Sequence, residues 1–226
     1  MTKILDSHVQ AAGILLTIGA LLFVVGLFAH PPESVDAATA LATTARTAGT
    51  WRAVHGLITA GSAFVAAGAL LVLGARTRLT DTGLGTAAWA LLAVALVVFI
   101  PVPALEATVA VDTALAGDAA SFGLIGAVTV GLVQTVPLLL AAIAAIAFTE
   151  ARRAPSPTLK GAAAVGGLLA LVTLGIGAAF LWFGYGAAGG YINQLFALAF
   201  LWPVLLGITL ARSSGAQAST SHLATA

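Results

Sequence analysis

A chain of 226 residues that is 60% hydrophobic and 8% charged cannot coat itself for water, since a soluble domain carries roughly 25% charged residues. Its net charge of +1 excludes the basic field that nucleic acid requires. The absence of cysteine, with Met1 the sole methionine, excludes disulfides, thiolate sites, iron–sulfur clusters and methionine ligation of copper or haem.

A helix needs about 20 apolar residues to cross about 30 Å of hydrocarbon, and six such runs predict an all-α membrane protein, a six-transmembrane-helix bundle. The first is expected near residues 9–29, stopped by Pro31 and Pro32, which cannot continue a helix. Lys3 precedes it as in a signal peptide, but an apolar stretch of about 20 exceeds the usual 7–15. The segment from His30 to Thr50 then reads as a loop. Its alanine-rich middle predicts a short surface helix capped by Ser34.

The second and third runs are expected at 51–75 and 84–111, with a bend in the latter at Pro101 and Pro103. The fourth, fifth and sixth follow near 122–148, 162–183 and 192–211. Residues 1–212 thus form one transmembrane domain, and 213–226, small and polar, read as a disordered tail. Pro137 and Pro203 predict further kinks, and no internal repeat is convincing.

Cytoplasmic loops are enriched in lysine and arginine. With both termini cytoplasmic, Lys3, Arg76, Arg78, Arg152, Arg153, Lys160 and Arg212 lie inside, and only Arg46 and Arg52 lie outside. Trp51, Trp182, Tyr185 and Tyr191 then suit an outer aromatic belt. The chain is expected to be a multi-pass protein of the cell membrane.

Small residues four apart, Ser62 and Ala66, Ala63 and Ala67, Ala162 and Gly166, Ala163 and Gly167, let helix backbones approach closely. Packing within one copy is the favoured reading, with a homo-oligomer or a membrane-protein partner as the other.

Only His55 and Glu106 are ionisable within the apolar runs, and such groups are costly in hydrocarbon unless paired or wet. At 1.5 Å rise per residue they lie roughly 6 Å and 8 Å inside the same end of helices two and three. His55 shares a helical face with Arg52, Thr59 and Ser62, which predicts that this face points into protein. His30, Asp112, Asn193 and Gln194 belong to the same leaflet, while Gln134 near the midplane reads as one interhelical hydrogen bond.

Three readings compete here: a locking pair, His55 with Glu106 or Glu106 with Arg52; a ligand or proton site open to the outside; and metal or haem ligation by His30 and His55, with or without Glu106. No Walker loop, zinc-protease motif or nucleophile elbow occurs. The expectation is a non-catalytic component without a resident cofactor, either an accessory subunit of a membrane complex or a self-associating bundle. A small transporter or a ligand or proton sensor, and then a haem or quinone redox subunit, are the alternatives.

Overall fold

A computed structural model describes residues 2–31, 36–75, 77–183 and 192–223, with side chains over 7–31, 36–75, 77–177 and 193–212. The described residues are helical throughout, apart from short connections. Six helical stretches are long and apolar enough to cross a membrane: Ser7–Phe28, Ala48–Ala75, Gly83–Ala116, Ala119–Arg153, Pro157–Gly177 and Asn193–Arg212.

Prolines divide three of these spans. The helices in chain order are α1 (Thr2–Phe28), α2 (Ala37–Arg46), α3 (Ala48–Ala75), α4 (Gly83–Phe99), α5 (Pro101–Leu105), a π turn (Glu106–Ala110), α6 (Val111–Ala116), α7 (Ala119–Val133), α8 (Val136–Arg153), α9 (Pro157–Phe183), α10 (Ile192–Ala199) and α11 (Leu201–Leu223). Pro101 opens α5, Pro137 is second in α8 and Pro203 third in α11. A proline lacks the N–H that the preceding turn needs, but is tolerated in the first turn of a new helix. Each proline therefore marks a restart.

The third span continues five residues beyond its expected end, to Ala116. It stops at Gly117, whose φ of 70° suits a residue without Cβ. The short helix after the first span is α2, but its cap is Asp36, which accepts from the Thr39 amide. Ser34, the expected cap, lies outside the described residues. Helix α11 continues to Leu223, past Arg212 into the segment read as a tail. No proline interrupts that segment, and extending a formed helix costs far less than nucleating one.

The spans close a ring in chain order: α1 packs on α3, α3 on α4, α4 on α8, α8 on α9, α9 on α11, and α11 returns to α1. Glycine makes the α1 contacts close. A methyl built on Gly61 would stand 2.6 Å from the Phe23 amide nitrogen and 2.7 Å from the Gly19 carbonyl. On the other side of α1, one built on Gly13 would stand 2.5 Å from the Gly207 carbonyl. Only hydrogen fits there, so the backbones themselves touch, which is how helices gain dispersion energy where lipid provides no hydrophobic drive.

Phe23 fills the middle, stacked on Phe200 at 4.3 Å and edge-on to Phe196 at 5.3 Å. Of the four small-residue pairs, Ser62, Ala66, Ala163, Gly166 and Gly167 are buried, and Trp202 lies against Gly166. Ala63 is exposed, and Ala67 and Ala162 are half-buried.

Charged side chains pin one end of the ring. Arg78, in the α3–α4 connection, reaches both carboxylate oxygens of Glu150 on α8, at 2.6 and 2.9 Å. Arg153, one turn after Glu150, pairs with Asp81. The motifs R-x-x-D at 78–81 and E-x-x-R at 150–153 are thus complementary, and they clasp the second and third spans to the fourth.

Candidate functional site

The opposite end of the bundle gathers His30, Trp51, His55, Glu106 and Thr129. α1 ends where His30 begins the connection to α2, and α3 runs back with Trp51 and His55 one turn apart. His55 is 6% exposed and Trp51 7%. The two imidazoles meet: His30 Nε2 lies 3.1 Å from His55 Nε2. Each ring is also anchored through its other nitrogen, His30 Nδ1 at 2.7 Å from the Pro31 carbonyl and His55 Nδ1 at 2.9 Å from the Trp51 carbonyl.

A carbonyl oxygen only accepts, so both Nδ1 atoms donate and carry hydrogen. The Nε2–Nε2 contact is then a hydrogen bond only if one further hydrogen lies between them. Two neutral rings in these tautomers would oppose lone pair to lone pair. If both carbonyl contacts are kept, three hydrogens on four ring nitrogens would make the pair an imidazole–imidazolium with a charge of +1.

The Trp51 indole joins this pair to the carboxylate. It stacks on His55 with ring centroids 4.9 Å apart and is tilted against His30 at 5.1 Å. Its Nε1–H donates to Glu106 Oε2 at 3.4 Å. Glu106 opens the π turn, where the helix is wound wider just after the Pro101 and Pro103 restart; such turns are frequent at functional positions. Its other oxygen, Oε1, is 3.1 Å from the Thr129 hydroxyl. That hydroxyl also lies 3.1 Å from the Gly126 carbonyl, so its single hydrogen is shared between two acceptors.

The expected residues are therefore paired differently. His55 bonds His30 rather than Glu106, Glu106 bonds Trp51 and Thr129 rather than Arg52, and Arg52 pairs with Asp112 at the exposed rim. The reason is reach: Trp51 fills the space between α3 and the π turn that a direct histidine–carboxylate pair would need. Thr59 donates to the His55 carbonyl, and Ser62 is buried on the same face.

Asn193 and Gln194 are half-buried at the start of α10, which packs against α9 and α1. Gln134 is exposed at the break between α7 and α8. Its side chain makes no hydrogen bond among the described residues, in place of the interhelical bond expected of it. Trp51 is a buried member of the cluster rather than part of a headgroup belt, and Trp182, Tyr185 and Tyr191 lie outside the residues whose side chains are described.

Three or more His, Asp or Glu side chains do not converge on one point among the described residues. An internal cavity of about 10 Å³ beside Leu16, Trp89 and Phe200, room for no more than a water molecule, and an open groove of about 210 Å³ beside Ile14 and Arg212 both lie away from the cluster.

Sequence reasoning missed Trp51 and Thr129 as members. The W-x-x-x-H spacing at 51–55 was a legible signal for the first; a lone threonine on an apolar helix signals nothing by itself. No family model, curated protein or solved structure matches this chain.

Proposed function

We propose that the chain is a non-catalytic, multi-pass component of the cell membrane that binds a proton at its outer end. One observation carries the reading: the two Nε2 atoms at 3.1 Å, each on a ring whose Nδ1 already donates to a carbonyl. Such a contact needs a proton, so it forms when the pair is protonated and opens when the proton leaves. The lysine and arginine distribution supports cytoplasmic termini, which put the cluster in the outer leaflet and in reach of external pH.

Among the described residues, the ionisable groups on the elements around the pair are Glu106 on the π turn, Arg52 on α3, Asp112 on α6, and Asp36 and Arg46 on α2. Arg52 and Asp112 pair with each other, and Glu106 is joined to the ring pair through Trp51. Loss of the proton removes the attraction between that carboxylate and the ring pair. The polar contact between His30, after α1, and α3 is then weakened.

The test is a pH titration of the protein in lipid nanodiscs by ¹⁵N-histidine NMR, with His30→Gln and His55→Gln as controls. The expected result is one coupled titration of the two rings, lost in both variants. Two rings that titrate independently of each other, with the His30 and His55 signals assigned by the two variants and set apart from those of His8 and His222, would overturn the reading. Because the chain has no cysteine, Ala38→Cys tests orientation independently. Labelling from outside intact cells is expected.

A further inference from the structure

Helix α7 is the least covered part of the bundle. Of its 15 residues Thr129 alone is buried, against 12 of 28 in α3. Its exposed side has a pattern: Ala120, Leu124, Ala127, Gly131 and Gln134 recur at spacings of four, three, four and three, the seam along which two helices pack side chains into each other. The glycine on this seam differs from those inside the ring. A methyl on Gly19 would stand 2.7 Å from a backbone nitrogen of α3, whereas one on Gly131 meets nothing within 4 Å. Packing within one copy does not call for glycine at 131.

Gln134 carries the argument further. It caps α7 near the middle of a 35-residue span, roughly 22 Å along from Ala119 at 1.5 Å per residue. There it is exposed, and its side chain has no hydrogen-bond partner among the described residues. Hydrocarbon offers neither donors nor acceptors, and a carboxamide has two of each to satisfy. Three residues on, Pro137 lacks the N–H that would meet the Val133 carbonyl, so a further acceptor opens at the same depth.

We propose that two copies of the chain associate across this face of α7, joined by reciprocal hydrogen bonds between their Gln134 carboxamides. A two-fold axis along the membrane normal brings each residue opposite its own copy at equal depth. A second copy thus supplies the matching amide at the required level by symmetry, and the amide is its own complement in donors and acceptors. The small residues at 127 and 131 let the backbones come close enough for those bonds. The polar residue in an apolar seam sets the register.

The cysteine-free chain makes the test direct. Ala127→Cys and Gly131→Cys, oxidised in native membranes, are expected to give disulfide-linked dimers. Val94→Cys on α4 and Val165→Cys on α9, at positions equally exposed to lipid, are expected not to. Gln134→Leu should weaken dimerisation, measured by energy transfer on dilution into lipid, about tenfold, and Gln134→Asn should keep most of it. Absence of dimers at 127 and 131, equal cross-linking at 94 and 165, or an unchanged dimer in Gln134→Leu would each overturn the proposal.

Discussion

The two ends of the bundle hold charge in opposite ways. At the Arg78 end a carboxylate that is 1% exposed meets a guanidinium in a two-pronged contact. At the His30 end two imidazole nitrogens lie 3.1 Å apart, and the carboxylate stands off behind an indole. Burial by itself therefore does not make a switch. In the proposed reading, what distinguishes the ends is whether the cation is fixed by covalent structure or is itself an exchangeable proton.

The sharpest way to break this contrast is Arg78→Ala, which leaves Glu150 buried without its partner. Arg78 is itself 35% exposed, so part of the pair is solvated and the loss should fall toward the lower end of that for buried pairs, about 3 kcal/mol. Thermal unfolding in detergent checks it, and the drop should be the same at neutral and mildly acidic pH.

His30→Phe should cost less, about 1.5 kcal/mol, as for a hydrogen bond to a charged group, and should show the opposite pH behaviour. In the proposed reading the proton strengthens the contact, so the difference from the parent chain should shrink as pH rises and the proton leaves. An equal, pH-independent loss at both ends would remove the distinction between clasp and switch.

Smaller effects sharpen it. Arg52→Ala and Asp81→Ala each break an exposed ion pair, and each should change stability by about 0.5 kcal/mol or less, and less still at high salt. If Arg52→Ala instead abolished the histidine titration, the rim pair would belong to the proton site.

The least effect is expected at the helix caps. The side-chain and backbone hydrogen bonds of Ser121 hold the Asp118 carboxyl below its ordinary 3.8, as those of Thr39 do for Asp36. A lowered value contributes stability that is present above the ordinary one and is lost as pH falls through the lowered one. Asp118→Ala should therefore remove an acid-side dependence confined to the start of α7, read by amide exchange there, and leave the histidine range untouched.

Much of the architecture was legible because hydrocarbon sorts residues by a single property. Six apolar runs, their restarts at proline and the inward face of His55 follow from run length, the missing proline N–H and the 3.6-residue turn. The same rules placed His55 and Glu106 at one end and at similar depth, because rise per residue is a property of the single helix. Partner choice depends on which helices are neighbours and on what fills the gap between them. It took the ring order α1–α3–α4 and the bulk of Trp51 to turn an expected histidine–carboxylate pair into a histidine pair with a shielded counter-charge. Likewise, Arg78 and Glu150 lie 72 positions apart in the chain, and only packing the second and third spans against the fourth joined them. Composition and periodicity determined that this chain is a helical membrane bundle with scarce polar groups near one end; side-chain reach across helix interfaces, a property of the tertiary structure alone, decided what those groups bind.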